Sequence, residues 1–262
     1  MKLYPIRSGS KGNAVLVYTE KTKILVDCGI SGKVAESGIR KIGIEPSEIS
    51  AILVTHEHND HINGVGVMTR RYNIPVYANE RTWLAMEGAL GKINEDNKKV
   101  FINKNSFKIG DIEANSFEIP HDAADPVGYC FESGNRKISV ATDIGVLKED
   151  IFRAIKGSNA VLLEANHDIN MLEVGSYPFS LKQRIRGEKG HLSNDEAGLA
   201  AKYLYKMGTK SIILGHLSPE NNYPLLAKQT VMNILNDDGN KTDDEFKLSV
   251  ALGNEESLVT AV

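Results

Sequence analysis

One short segment constrains this chain more than any other. Residues 55–61 read Thr-His-Glu-His-Asn-Asp-His and directly follow the apolar run at 51–54. Three of the seven histidines in the chain lie in this segment. Imidazoles and carboxylates together are ligands that suit Zn²⁺ and its first-row neighbours. An apolar run that ends in such a loop predicts a strand whose end presents several side chains to one metal centre.

Composition sets the class of protein. The chain has 262 residues, of which 41% are hydrophobic and 25% charged, as is ordinary for a globular protein with a sizeable core. The net charge of −3 gives no general attraction to nucleic acid or to an anionic membrane. The two cysteines, Cys28 and Cys130, are too few for a disulfide framework and favour a reducing compartment. We see neither a signal-peptide core nor an apolar run as long as a membrane span, so we expect a cytoplasmic protein with no membrane partner.

The hydrophobic pattern predicts strands and helices in an order typical of a layered α/β protein. Strand patterns lie at residues 14–18, 23–26, 51–54, 75–78, 100–102, 106–109, 112–119, 127–132, 137–142, 160–163, 211–214, 247–252 and 257–260. Helix patterns lie at residues 34–42, 62–72, 81–90, 148–155, 194–207 and 223–236. Two successive sets of strands, each with helices, favour two sheets packed face to face with helices outside. We therefore predict a four-layer αββα sandwich that forms a single domain over residues 1–262.

Further histidines and aspartates stand where apolar runs end. Asp27, His121, Asp143 and His216 each follow a predicted strand. Any one of them alone is more often a turn residue, but together with residues 55–61 they predict one convergent site. Three histidines suffice to hold one cation, and a set of histidines and Asp60 suffices for a second. Asp143 is then available as a bridge, with room for a bridging water that two cations acidify.

These residues resemble a known set of motifs. The run at 56–61 matches the His-x-His-x-Asp-His signature of the metallo-β-lactamase-fold superfamily, and Asp27, His121, Asp143 and His216 match its other motifs in the right order. The resemblance implies the αββα sandwich. It also implies two metal sites, with the ligands His56, His58 and His121 for the first, Asp60, His61 and His216 for the second, and Asp143 as the bridge. It further implies that Asp27 braces the ligand loop by hydrogen bonds.

Smaller motifs narrow the branch of the superfamily. Asp143 stands where the β-lactam-hydrolysing branch usually has Cys, and His58 stands where the flavodiiron branch usually has Glu. The runs Ser-Gly-Ser-Lys-Gly-Asn at 8–13, Glu-Ala-Asn-His-Asp at 164–168 and Gly-His-Leu-Ser-Asn at 190–194 resemble the YycJ (WalJ) group of bacterial proteins. That resemblance implies phosphodiester hydrolysis, with 5′→3′ exonuclease action on DNA as its sharpest form. The long insertion of RNase J relatives and the protruding arm of tRNase Z are missing, which disfavours RNA maturation.

Several residues beyond the metal ligands are candidates for contact with the substrate. His191 precedes a capping box formed by Ser193 and Glu196, so it stands before a helix N-terminus, where an anion is favoured and a departing oxygen can receive a proton. The weaker candidates for phosphate contact are the small and basic residues Ser8, Ser10, Lys11, Asn13, Lys182, Arg184, Arg186 and Ser193. His167 follows another buried strand, and it is either a turn residue or a residue that supports the ligands.

We predict a hydrolase with a two-metal centre. Two divalent ions, Zn²⁺, Mn²⁺ or Fe²⁺, hold a bridging hydroxide that attacks phosphorus, with Asp60 and His191 as the catalytic residues. The expected partner is nucleic acid, and DNA in the sharpest version.

Two alternatives stay open. The first is a glyoxalase II-like hydrolase of thioesters or lactones, which has little need of His191 or of the basic run formed by Lys182, Arg184 and Arg186. The second is a non-enzymatic binding or regulatory protein that metal ions only stabilise. The sequence leaves open the identity of the metal, DNA against RNA, the direction of digestion and the oligomeric state.

Overall fold

The computed structural model describes residues 1–237, 242–253 and 257–262. In chain order its strands are β1 (Lys2–Arg7), β2 (Ala14–Tyr18), β3 (Lys23–Val26), β4 (Ala51–Leu53), β5 (Val76–Asn79), β6 (Lys98–Phe101), β7 (Ser106–Ile109), β8 (Ile112–Glu118), β9 (Val127–Ser133), β10 (Arg136–Ala141), β11 (Ala160–Glu164), β12 (Ser211–Gly215), β13 (Lys247–Val250) and β14 (Thr260–Ala261). Its helices are α1 (Gly32–Lys41), α2 (Asn59–Ile62), α3 (Val65–Tyr72), α4 (Glu80–Leu90), α5 (Glu149–Ile155), α6 (Ile169–Val174), α7 (Phe179–Arg186), α8 (Asn194–Lys206) and α9 (Pro224–Leu235). Short 3-10 helices lie at Pro46–Glu48 and Glu95–Asn97.

Within these residues the strands form two seven-stranded sheets. The first sheet has the order β14-β1-β2-β3-β4-β5-β6, and the second has the order β13-β12-β11-β10-β9-β8-β7. Each sheet has an antiparallel part and a parallel part. Strands β3 to β6 pair in parallel in the first sheet, and strands β10 to β13 do so in the second.

Side chains along the strands alternate between two cores. In β3, Ile24 and Val26 belong to the core between the two sheets, whereas Leu25 belongs to the core under α1, α3 and α4. In β12, Ile213 lies between the sheets, whereas Leu214 belongs to the core under α5, α8 and α9. Because successive strand residues point to opposite faces, both faces of each sheet are buried. The prediction of a four-layer αββα sandwich is confirmed.

Parallel pairing decides where polar residues collect. The carboxyl ends of neighbouring parallel strands meet at one edge of a sheet, and ligands bind beyond such ends. The chain leaves β3 at Asp27, β4 at the 55–61 loop, β10 near Asp143 and β12 at His216. Strand β8 runs in the same direction as β10, because both pair antiparallel with β9, and it leads to His121. The two sheets thus present these residues from the same end of the sandwich.

A close backbone approach divides one predicted helix. The helix predicted at 62–72 is in fact two helices, α2 and α3, with the break at Gly64. The Gly64 N–H donates to the Cys28 carbonyl at 2.7 Å, and a Cβ at Gly64 would collide with the Ile30 carbonyl oxygen. The strand predicted at 257–260 is also corrected, because the strand there is β14, at Thr260–Ala261.

The sequence patterns do not predict β1, α6 or α7. Pro5 lies within β1 and lacks the N–H that an inner strand needs, yet β1 lies between β14 and β2. The strand tolerates Pro5 because its pairing with β2 shifts register between Pro5 and Arg7. Among the described residues, no helix has the length and apolar character needed to cross a lipid bilayer.

Candidate metal centre

The loop that follows β4 is fixed by Asp27, which follows the neighbouring strand β3. The Thr55 N–H and hydroxyl donate to the two carboxylate oxygens of Asp27 at 2.8 and 2.9 Å. His61 Nδ1 lies 2.8 Å from Asp27 Oδ2. Because a carboxylate only accepts, this contact turns His61 Nε2 toward the centre. Asp27 therefore holds both the loop and one of its rings.

The first group of candidate ligands consists of three imidazoles. His56 Nε2 lies 3.1 Å from His58 Nδ1, which lies 3.3 Å from His121 Nε2. The other nitrogen of His121 lies 3.3 Å from the Gly190 carbonyl oxygen, which orients the ring. Burial and the charge of His61 hold the pKa of His56 well below its ordinary value, and burial lowers the pKa of His121. Neutral imidazoles with convergent nitrogens are the form that binds a metal ion.

Asp60, His61 and His216 form a second group, and Asp143 stands between the two groups. Asp60 Oδ2 lies 3.5 Å from His61 Nε2 and 3.7 Å from His216 Nε2. Asp143 Oδ2 lies 3.4 Å from His61 Nε2, and Asp143 Oδ1 lies 3.4 Å from His216 Nε2 and 4.0 Å from His121 Nε2. The donor atoms within each cluster lie within 4.8 Å of one another. The structure thus brings together every residue that the sequence analysis names as a metal ligand.

Two buried polar atoms indicate that a cation fits this centre. Asp143 Oδ2 and His216 Nε2 have no hydrogen-bond partner among the described residues. Such atoms cost free energy unless something binds them. Burial alone raises the pKa of Asp143, but the charges of His216 and His61 outweigh burial and hold this pKa well below its usual range. An ionised carboxylate among imidazoles is a donor set that suits Zn²⁺, Mn²⁺ and Fe²⁺.

Backbone strain marks the strand ends that carry these residues. Asp27, Asp143 and His216 have φ angles of 57°, 60° and 56°, in the left-handed region that non-glycine residues rarely adopt. Each such residue costs on the order of 1–3 kcal/mol, and such residues concentrate at functional sites.

Glu164 is a site residue to which the sequence analysis assigns no role. It ends β11 and is fully buried. Its Oε1 lies 2.8 Å from His191 Nδ1 and 2.9 Å from His216 Nδ1, and its Oε2 accepts from the Ile144 N–H at 2.6 Å. Burial alone raises the pKa of Glu164, but the charges and hydrogen bonds of His191 and His216 together outweigh burial, and the pKa is lowered. One carboxylate therefore orients both a candidate ligand and His191. The sequence feature that could have revealed Glu164 is its position at the end of an apolar run that forms a strand.

The loop at 8–13 divides into residues that touch the candidate ligands and residues at an exposed tip. The buried Ser8 hydroxyl accepts from the His216 N–H at 2.9 Å. Asn13 Nδ2 lies 3.1 Å from His61 Nε2, and Asn13 Oδ1 accepts from the Gly9 N–H at 3.0 Å. Ser10 and Lys11 are exposed. Ser8 and Asn13 therefore contact the candidate ligands, whereas Ser10 and Lys11 lie at the exposed tip of the loop.

His191 borders both the metal ligands and a cavity. Its Nδ1 lies 3.9 Å from Asp143 Oδ1, and its side chain is 19% exposed. The cavity has a volume of about 160 Å³, and its lining includes Ser10, Asn166, Tyr177, Arg184, His191 and Ser218. A group bound in this cavity therefore meets His191 at the edge of the centre.

The basic run lies on α7, and each of its cations has a partner. Arg184 Nε donates to Asp122 Oδ2 at 2.5 Å, although 58% of the Arg184 side chain stays exposed. Lys182 Nζ donates to the Glu173 carbonyl oxygen at 2.7 Å, and Arg186 lies 3.8 Å from the Glu173 carboxylate. Of these three, Arg184 is the one that lines the cavity beside His191.

Ser193 and His167 pair with each other in an isolated β-bridge. The Ser193 hydroxyl takes part in the capping box of α8, in which it accepts from the Glu196 N–H at 3.2 Å and donates to the Glu196 carboxylate at 2.8 Å. His167 is buried, its carbonyl accepts from the Asn194 N–H, and its Nδ1 has no partner among the described residues. Burial lowers the pKa of His167 to about 4. Among the residues that the structure describes, His167 joins no cluster of candidate ligands.

Comparison with known proteins decides the family. A family model described as a β-lactamase superfamily domain matches residues 22–217. This protein belongs to the β-lactamase superfamily. Its fold is shared with Zn²⁺-bound PqqB from Methylobacterium extorquens, with a TM-score of 0.73 at 14% identity over the whole of both chains.

Two relatives within the superfamily match nearly the full length of the chain. The exodeoxyribonuclease YycJ of Bacillus anthracis is 44% identical over 243 residues, which cover 93% of this chain and 92% of that protein. The exodeoxyribonuclease WalJ of Streptococcus pneumoniae is 43% identical over 232 residues, covering 88% and 86%. The predicted resemblance to the YycJ (WalJ) group is confirmed.

Proposed function

We propose that this protein is a metal-dependent exonuclease that removes nucleotides from the 5′ end of DNA. The observation that carries the proposal is the pair of hydrogen bonds that Glu164 accepts from His191 and His216, which places a proton-donating imidazole beside a candidate metal ligand. The similarity to two exodeoxyribonucleases over nearly their whole length supports the choice of substrate. We further propose that the chain acts as one domain and in the cytoplasm, where its two free thiols would persist.

The proposed cofactors are two divalent ions, Zn²⁺ or Mn²⁺, with Fe²⁺ as the third choice. The first would be held by His56, His58 and His121, the second by Asp60, His61 and His216, and both by Asp143. When bound, such ions lower the pKa of a water molecule and neutralise charge on phosphoryl oxygens. The protein supplies the fixed positions of the ligands, because Asp27 and Glu164 accept from the far nitrogens of His61 and His216.

His191 is the proposed proton donor. Hydrolysis of a phosphodiester leaves an alkoxide oxygen that needs a proton, and general acids of this kind contribute about 10²–10⁴-fold to rate. Glu164 accepts the hydrogen of His191 Nδ1, so that Nε2 is the nitrogen available to the substrate. For digestion from the 5′ end, the oxygen that departs is the 3′ oxygen of the terminal nucleotide. A thioester hydrolase has less need for this residue, because a thiolate can depart without a proton.

The proposed phosphate contacts follow from exposure. Arg184 lines the cavity beside His191 and presents an exposed guanidinium, and Ser10 and Lys11 lie at the exposed loop tip. Lys182 and Arg186 are weaker candidates, since neither lines the cavity beside His191. Loss of Arg184 should weaken DNA binding and reduce its salt dependence.

A nuclease assay with elemental analysis tests the proposal. Single-stranded and duplex DNA, labelled at either end, is incubated with the purified protein and Mn²⁺. We expect mononucleotides released from the 5′ end, at least about 100-fold slower release by His191→Ala, and none by an Asp60→Ala, His61→Ala double variant. Arg153→Ala, which truncates an exposed arginine that is also ion-paired, is the matched control for Arg184→Ala. Turnover of S-lactoylglutathione without DNA cleavage would refute the proposal.

A further inference from the structure

A second cavity adjoins the one that His191 lines. Its volume is about 300 Å³, which reaches the lower end of the usual range for small-molecule sites, about 300–1,000 Å³. Ser10 and Ser218 line both cavities, so the two meet at the tip of the 8–13 loop. The wall of the larger cavity is mainly apolar and includes Leu217, Pro219, Tyr223, Pro224 and Leu252, together with the exposed Lys11. This combination suits a flat aromatic ring with an anionic group close to it.

Tyr223 is the aromatic side chain of the larger cavity. It is 50% exposed and directly precedes α9. Its N–H donates to the Asn222 side chain at 3.0 Å, and the buried Asn222 amide donates to the Ala165 carbonyl at 2.9 Å. Ala165 follows Glu164 in the chain. The Tyr223 backbone is therefore tied to the strand end that also orients His191, while its ring remains accessible.

We propose that the two cavities together bind the 5′-terminal nucleotide of the DNA strand. The sugar lies beside His191 in the smaller cavity, and the base stacks on Tyr223 in the larger one. This inference rests on the proposed function, because proton donation to the departing 3′ oxygen places the terminal sugar next to His191. The smaller cavity has a volume of about 160 Å³ and the larger about 300 Å³, which leaves room for a sugar in the first and a base in the second. Every base has a π face, so the site recognises a strand end without reading its sequence.

An abasic residue at the 5′ end removes the proposed contact without changing the protein. The substrates are three single-stranded oligonucleotides: one intact, one with a tetrahydrofuran abasic residue at the 5′-terminal position, and one with it at the third position. Stacking of one base on one aromatic side chain corresponds to about 5-fold to 150-fold in affinity. We expect the 5′-terminal abasic residue to raise the KM of the wild-type protein within this range. The abasic residue at the third position should leave the KM unchanged.

Variants at Tyr223 test the same contact from the protein side. Tyr223→Ala should raise the KM for the intact strand by the same factor and should make the KM insensitive to the 5′-terminal abasic residue. Tyr223→Phe keeps the ring and should resemble the wild type. Leu225→Ala is the matched control, because Leu225 is 77% exposed on α9 and does not line the cavity. The loss should fall on KM rather than kcat, since a stacked base is bound alike in the ground state and the transition state.

The outcomes separate this inference from the proposed function. Hydrolysis of bis(p-nitrophenyl) phosphate by the wild-type protein reports the metal centre alone. If neither this ester nor DNA is cleaved, the proposed function fails and the inference fails with it. If DNA is degraded from the 5′ end but the 5′-terminal abasic residue has no effect, the inference is overturned and the nuclease assignment stands. The abasic arm needs no variant, so misfolding of Tyr223→Ala would not affect it.

Discussion

Replacing Glu164 with glutamine tests how the centre is held together. The two side chains have nearly the same shape, but a carboxylate accepts at both oxygens whereas an amide accepts at one atom and donates at the other. Glu164 Oε1 accepts from His191 Nδ1 and His216 Nδ1, and Oε2 accepts from the Ile144 N–H. An amide oxygen at one position places an NH₂ group at the other, where it faces another donor. Either orientation of Glu164→Gln therefore loses at least one hydrogen bond.

The size of the effect follows from the kind of bond that is lost. A hydrogen bond to a charged group contributes about 1.5–3 kcal/mol, which corresponds to about 10-fold to 150-fold in an equilibrium or rate constant. Residues that orient metal ligands typically change metal affinity or activity by about 10-fold to 100-fold. We therefore expect kcat/KM of Glu164→Gln to fall by about 10-fold to 150-fold. If the amide turns its NH₂ group toward the imidazoles, metal affinity should fall as well, because His216 loses its support.

Two measurements separate the two roles of Glu164. The rate of DNA hydrolysis at saturating Mn²⁺ reports whether His191 is correctly oriented. The metal affinity, measured by competition with a chelator, reports whether His216 is correctly oriented. Glu36→Gln is the matched control, because Glu36 is also buried and ion-paired, but with Arg71 on the helical face of the first sheet. This control should lower stability and leave kcat/KM within about twofold of the wild type, since surface and core changes away from a site act mainly on stability. The reasoning is refuted if Glu164→Gln keeps both activity and metal affinity.

The remaining predictions concern the supports of the centre. Asp27→Asn should weaken metal affinity about 10-fold to 100-fold in chelator competition, because the carboxylate holds Thr55 and His61, and an unchanged affinity would contradict this role. Gly29→Ala should destabilise the protein by about 1–3 kcal/mol in urea, because a Cβ there collides with the Asp60 carbonyl. Gly88→Ala, in α4 with open space around it, should instead stabilise by about 0.5–1 kcal/mol, and equal behaviour of the two variants would count against the packing argument. Burial lowers the pKa of His167 to about 4 from 6.5, so the folded state keeps the ring neutral where the unfolded chain is protonated. Stability should therefore fall as pH drops from about 6.5 to about 4, by up to about 3 kcal/mol. In chelator-treated protein His167→Gln should remove that part of the pH dependence, and a variant that loses as much stability in acid as the wild type would refute the assignment.

The strand ends of this fold were predictable because their signal is local. An apolar run followed by Asp or His is visible in the sequence at Asp27, Asp143 and His216, and parallel pairing then brings these ends together. The alternation of side chains in β3 and β12 likewise follows from a period of two residues. For these three residues, the same apolar pattern that predicts the strand also predicts the position of the functional residue at its end.

Contacts between distant parts of the chain were harder to predict. Glu164 acts through partners that come from residues 144, 191 and 216, and no spacing in the sequence reveals their meeting. Ser8 resembles a substrate contact in the sequence, but its hydroxyl binds the His216 N–H across 208 residues. The sequence pattern did not predict strand β1, because the strand contains Pro5. A proline is accepted within this sheet because the pairing of β1 with β2 shifts register next to it. In each case the deciding interaction joins segments that are far apart in sequence.

Crystallographic location of the bound metal tests the central claim most directly. Diffraction data collected at the absorption edges of zinc, manganese and iron, from protein purified without chelator, would show each ion as an anomalous peak. We predict two peaks per chain, one among His56, His58 and His121 and the other among Asp60, His61 and His216, with Asp143 in contact with both. The absence of any peak at these seven residues, or peaks only elsewhere on the protein, would contradict the account.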